Sequence, residues 1–357
     1  MVGAVSFGRV APRLRAKWVV LVLALVIVLG VGVVLARRLT GGPTEPSAAL
    51  KPMGAGLYVD STALPVAQDS TIDHAFINVG WDTLEPERGR YDWTPIDEVL
   101  RANPTTKFRL RLEAGVFAPR WLDAVSGHCV QLDHRKTGAT GCVPRFWTAE
   151  YLARYAAFVS AAGTRYDAEP QVLDVVNGAC MTFTAEPFIL GGKTAAEALY
   201  RAGLTLQRHK DCLTSSTAMI DRAFPHTRIS LATFDGWQVP SDLGGETDWP
   251  AERALLQQLR GAYGDKLVLQ NNGLADQTCT AADGDQNLYC YLRSIPPPKG
   301  FQQGCGKKVV RCDQASVVEH ALALGGCFVE HANWRSLGPR EVTYDRKLKQ
   351  NPGCGSA

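Results

Sequence analysis

Two carboxylates in this 357-residue chain stand in settings that suit proton transfer or nucleophilic attack. Glu186 lies in Thr182-Phe183-Thr184-Ala185-Glu186-Pro187-Phe188, where the rings of Phe183 and Phe188 would desolvate it and favour its protonated form. Glu330 closes the apolar run Cys327-Phe328-Val329-Glu330, where an ionisable group needs a reason to be present. A carboxylic acid that protonates a leaving oxygen, opposed by a carboxylate acting as nucleophile or base, is the equipment for hydrolysing a glycosidic bond. Polar groups that suit a hydroxyl-rich ligand accompany them: Glu113, Asn177, Asp235, Asn272 and Gln302. Trp81, Trp237 and Trp334, with Trp121, offer indole faces that can stack on a sugar ring, though each has a simpler alternative as a core residue.

These positions acquire a common geometry once the elements that carry them are read. Strand-like runs recur at 56–60, 75–81, 107–114, 172–177, 228–234, 266–270, 300–302 and 326–330. Helical patterns fall between several of them, at 148–162, 212–223, 251–263 and 313–324, and Pro95 in the first turn after Asp92 or Thr94 marks another helix start. Alternation of eight strands with helices predicts an α/β fold closed as a (β/α)8 TIM barrel. Catalytic groups in that fold come from strand ends and the loops above them, which is where the candidate residues fall. Period two in the third strand sends Arg109, Arg111 and Glu113 to the barrel interior, with Phe108, Leu110 and Leu112 facing the helices. The two arginines are expected in a buried ion-pair network, since buried charges need partners. Glu113, nearest the mouth, is divided between supporting that network and touching a ligand.

The stretch Gly80-Trp81-Asp82-Thr83-Leu84-Glu85-Pro86-Glu87-Arg88-Gly89-Arg90-Tyr91-Asp92-Trp93 follows the second strand. Its wording resembles the second β/α unit of clan A glycoside hydrolases, in particular the family 42 β-galactosidase type. Phe117-Ala118-Pro119-Arg120-Trp121-Leu122 is similar to the segment after the third strand of such enzymes. The resemblance extends over most of 56–334 and implies a carbohydrate site at the barrel mouth. It also implies an acid Glu after an Asn at the fourth strand and a nucleophile Glu ending the seventh. This chain departs at both: Asn177 is followed by Gly178, and the seventh strand ends in Gln302-Gln303. An amide cannot attack an anomeric carbon, so Glu186 and Glu330 are the substitutes the remaining sequence offers.

Residues 18–36 are uninterrupted and apolar, long enough to span a bilayer. Four basic residues precede them and two follow, which predicts a cytoplasmic N-terminus at 1–17, a single transmembrane signal anchor and an extracytoplasmic remainder; a cleaved signal peptide is the alternative. Residues 37–54 read as a Gly-, Pro- and Ser-rich tether and 55–357 as the barrel. Without its six N-terminal basic residues the chain holds 32 Lys and Arg against 35 Asp and Glu, so nucleic acid is not an expected partner. Ten cysteines on the expected outer side predict disulfides, with Cys129–Cys142, Cys279–Cys290 and Cys305–Cys312 as short-loop pairings. Their spacing does not suit zinc, and neither a metal nor a cofactor is expected. The sequence therefore points to a membrane-anchored hydrolase of a polysaccharide or glycoconjugate. The alternative is an inactive barrel of the same kind that binds carbohydrate or assists cell-surface polysaccharide assembly.

Overall fold

Short runs of Val, Ile, Leu and Phe, each ended by a glycine or polar residue, form the staves of a closed parallel barrel. A computed structural model of the chain describes residues 49–66, 70–133, 138, 140–275, 279, 287–304 and 313–354. The strands are β1 (Gly56–Asp60), β2 (His74–Gly80), β3 (Lys107–Glu113), β4 (Val172–Val176), β5 (Arg228–Thr233), β6 (Leu267–Leu274), β7 (Lys299–Gln303) and β8 (Phe328–Glu330). Each pairs in parallel with its neighbours in sequence, and β8 returns to β1 through Gly56–Phe328 and Tyr58–Glu330. This is the expected eight-stranded architecture, with β6 running four residues further than the sequence suggested.

The surrounding helices are α1 (Thr94–Ala102), α2 (Ala149–Tyr166), α3 (Lys193–Arg201), α4 (Leu206–Ala223), α5 (Trp249–Tyr263), α6 (Leu288–Ser294), α7 (Gln314–Ala323) and α8 (Arg340–Lys349). α2 and α4 start on side-chain caps, Thr148 and Thr205, whose hydroxyls accept from Tyr151 N and Arg208 N. Their apolar faces bury Tyr155, Phe158, Leu213 and Ile220 together with outward strand residues such as Leu57, Leu110 and Ile229 in the main core. A smaller cluster, Tyr58, Phe76, Val268 and Phe328, fills the barrel itself.

Four disulfides are described: Cys129–Cys142, Cys180–Cys212, Cys279–Cys290 and Cys327–Cys354. Two are short-loop pairings that spacing suggested; Cys305 and Cys312 lie outside the described residues. So do 1–48, with the whole apolar run 18–36. Among the described residues no helix is long and apolar enough to cross a membrane.

The N-terminal end of the barrel is closed by the incoming chain. Lys51 donates from its ammonium to the carbonyls of Glu169 at 2.8 Å and Val172 at 2.7 Å, and Lys51 N donates to His226 O. Asp345 of α8 accepts from Leu57 N at 2.8 Å.

Candidate active site

Inside the barrel Arg109 is fully buried, and its guanidinium makes four hydrogen bonds to three partners. It bonds Asp174 in bidentate fashion at 2.6 and 2.9 Å, Gln270 at 2.6 Å and Glu330 at 2.7 Å. Arg111 donates to the other oxygen of Glu330. The rings of Phe328 and Tyr58 lie against Arg109, and Phe76 lies against Arg111. Two cations and two anions thus cancel in a dry interior, as period two predicted for the arginines.

Glu330 is therefore a member of this network and not a free carboxylate facing a ligand. It is 1% exposed with both oxygens held by guanidinium groups. The expectation of a nucleophile missed because β8 ends low in the barrel: Glu330 is level with Tyr58 in the middle of β1 and with Gln302, one residue short of the end of β7.

Above the network lies a cavity of about 390 Å³ at the C-terminal mouth, at the small end of the range for ligand pockets. Glu186, Thr184 and Gly191 in the loop after β4 form one side, with Thr233 and Phe234 after β5 and Asn272 on β6 opposite. Glu186 and Asn272 are thus brought to one cavity, both half-buried. Gln238, which the sequence did not single out, fixes that wall: its side-chain oxygen accepts from Leu190 N at 2.7 Å, and its backbone N–H donates to Phe188 O.

Glu113 ends β3 within electrostatic reach of Glu186, outside the cavity's own lining. Burial raises its carboxyl above the ordinary glutamate range, Arg111 opposes the rise, and the negative charge of Glu186 adds to it. The two loops are stitched together: Val116 N donates to Thr182 O at 2.9 Å and Ala114 N to Gly178 O at 3.3 Å. Gly115 makes that approach possible, since at φ +56° an added Cβ would lie 2.0 Å from Thr182 O.

Several other expected contacts are corrected. Trp81 is fully buried behind the barrel, stacked on Phe158 at 5.0 Å between ring centres, with Nε1 donating to Glu85 at 2.7 Å. Glu85 also accepts from Gly89 N at 2.7 Å, and its carbonyl accepts from Trp121 Nε1 at 3.0 Å. The sugar-enzyme wording after β2 is thus a structural latch. Trp237 is buried edge-on to Phe188, its Nε1 donating to His209 Nδ1 at 3.0 Å. That bond leaves the proton of a neutral imidazole on Nε2, 3.2 Å from Cys180 O, and burial lowers the His209 pKa to about 4. Trp334 is 6% exposed beneath Arg335. Asn177 is fully buried toward α4, donating to Ser216 and Thr217. Asp235 is exposed outside the cavity lining. Gln302 faces the same side of β7 as Gly300 and does not line the cavity.

Glu252 escaped the sequence reading. Its oxygens accept from Phe234 N at 2.9 Å and Gly236 N at 3.1 Å, pinning the loop that carries Phe234 into the cavity. The signal was its place on the same face of α5 as Leu255, Leu256 and Leu259. Among the described residues, Asp123, Cys129 and Cys142 form a cluster with metal-ligand spacing, but both thiols are spent in a disulfide.

No family model matches the chain, and no curated protein matches it. Among solved structures the chain is similar to endo-glycoceramidase II from Rhodococcus sp. in complex with a five-membered iminocyclitol. That match has 16% identity and a TM-score of 0.47 over 80% of this chain and 75% of that one. A β-galactosidase from the psychrophilic Marinomonas ef1 aligns at 15% identity and a TM-score of 0.41 over 72% of this chain and 49% of that one. A psychrophilic family 10 endo-β-1,4-xylanase aligns at 13% and 0.42 over 85% and 96%. These neighbours are barrel glycoside hydrolases; at such identities the function of this chain has to be argued from its own site.

Proposed function

We propose that the chain is a membrane-anchored, extracytoplasmic glycoside hydrolase acting on a polysaccharide or glycoconjugate, with Glu113 as proton donor and Glu186 as base or nucleophile. The observation that carries this reading is that Glu186 lines a cavity of ligand size, with Glu113 close by at the end of β3, the pKa of its carboxyl raised by burial and then by the charge of Glu186. A carboxyl whose proton affinity is raised by burial suits the donor's part, and a second carboxylate close by suits the base's or nucleophile's. Glu113 passes its proton to the glycosidic oxygen as the bond from that oxygen to C1 breaks. Glu186 takes a proton from the water that adds to C1, or bonds C1 first and is displaced by water. Asn272 and Gln238 supply amide groups to sugar hydroxyls. The chemistry calls for no cofactor. The apolar run 18–36 and the described disulfides support an anchored protein in an oxidising compartment.

A second reading, a carbohydrate-binding barrel without turnover, is favoured by the fourth strand. A Cβ at Gly178 would lie 2.6 Å from Leu112 O, so the usual acid position has no room for a side chain. A glycan panel on the full-length protein separates the two, scoring binding and release of reducing ends for wild type, Glu113→Gln and Glu186→Gln. Release that drops on the order of a hundredfold in both variants with binding kept is expected. Binding without release by the wild type selects the second reading.

A further inference from the structure

The charges around the cavity narrow the kind of saccharide. Among its described lining residues Glu186 is the one ionisable side chain; the rest are hydroxyl, amide, apolar or glycine groups. Glu113 adds a second acid nearby. Of the barrel's interior cations, Arg109 is fully buried and held by Asp174 and Glu330, and Arg111, 7% exposed, donates to Glu330 below the cavity and is not among its lining residues. Lys193 follows the lining residue Gly192 directly, but its stem packs along Gly244, a contact so close that a Cβ there would fall 2.6 Å from Lys193 Cγ.

We infer that this cavity selects uncharged saccharides and rejects acidic ones, an inference that rests on the glycosidase reading above. Among the described lining residues a sugar carboxylate meets like charge and no cation, in surroundings where screening by water is weak. An uncharged pyranose meets hydroxyl and amide groups for its hydroxyls and the apolar Ile189 and Phe234 for its ring faces. Glu186 is then the residue that sets specificity as well as a candidate for the chemistry.

The test uses matched oligosaccharide pairs, each a neutral hexose oligomer and its C6-oxidised uronate counterpart of the same linkage and length. Affinities for the full-length protein are measured at low and high salt. The neutral member is expected to bind at least roughly tenfold tighter at low salt, the gap closing as salt is raised and closing further in Glu186→Gln. Should that variant fail to fold, the salt series on the wild-type protein carries the test. Equal or tighter binding of the uronate member, or a gap that ignores salt, overturns the inference and leaves the glycosidase reading standing. Binding of neither member in any pair removes both.

Discussion

The indole Nε1 of Trp81 donates to the Glu85 carboxylate at 2.7 Å, one turn along the chain and out of reach of solvent. This bond converts the residues that look most like a sugar site into a clasp between the loops after β2 and β3, because Glu85 also takes Gly89 N and, through its carbonyl, Trp121.

Replacing Glu85 by Ala is therefore expected to cost roughly 2–3 kcal/mol, since it strands a buried indole donor and a loop amide. The fall should appear in the midpoint of denaturant unfolding, with saccharide affinity of the folded fraction unchanged. Lost affinity with undiminished stability would return Trp81 to the ligand site.

Glu330→Gln is expected to lower stability by about 3–5 kcal/mol, because Arg109 and Arg111 lose the charge that compensates them in the interior. Chemical denaturation followed by tryptophan fluorescence reads this directly. A variant as stable as wild type that has lost turnover would show Glu330 to be part of the chemistry after all.

Glu113 makes stability depend on pH in a definite direction. Its folded pKa is raised, so over the interval between the unfolded value and the folded one the folded state holds the extra proton. Stability should fall as pH rises from the ordinary carboxylate range through the folded pKa and level off above it. Glu113→Gln removes that decline, and the same ionisation should close off turnover on its alkaline side. A wild-type stability profile that matches the Gln variant throughout would sink the assignment.

Gly178→Ala should destabilise the barrel by about 1–3 kcal/mol, and Gly178→Glu should not create a working acid, because either Cβ strikes the Leu112 carbonyl. Thermal melts and release of reducing sugar test the pair. Gain of turnover in the Glu variant would mean that β3 and β4 yield more readily than their contact implies.

Legibility differed by level. The eight strands could be read because each is a short apolar run with a polar stop, and the inward arginines because a strand alternates strictly. Helix α4 began at Leu206, six residues before the first residue read as helical, since Thr205 caps a polar first turn. Glu186 and Asn272 share one cavity because loop ends and strand ends in a barrel converge. Trp81, Trp237 and Trp334 were misplaced because a residue just past a strand can turn outward to the helices as readily as inward to the mouth, and no periodicity governs that choice. Glu330 was misread because the stagger of the strands sets height in a barrel, and a sequence shows where a strand ends without showing its level.

The Lys51 clamp lies at the end of the barrel remote from the cavity. Its ammonium is spent on backbone carbonyls at the foot of β4, so the entry of the chain into the barrel and the groups at the mouth, Glu113 and Glu186, draw on opposite ends of the same strands, and a change at one end leaves the other's contacts intact.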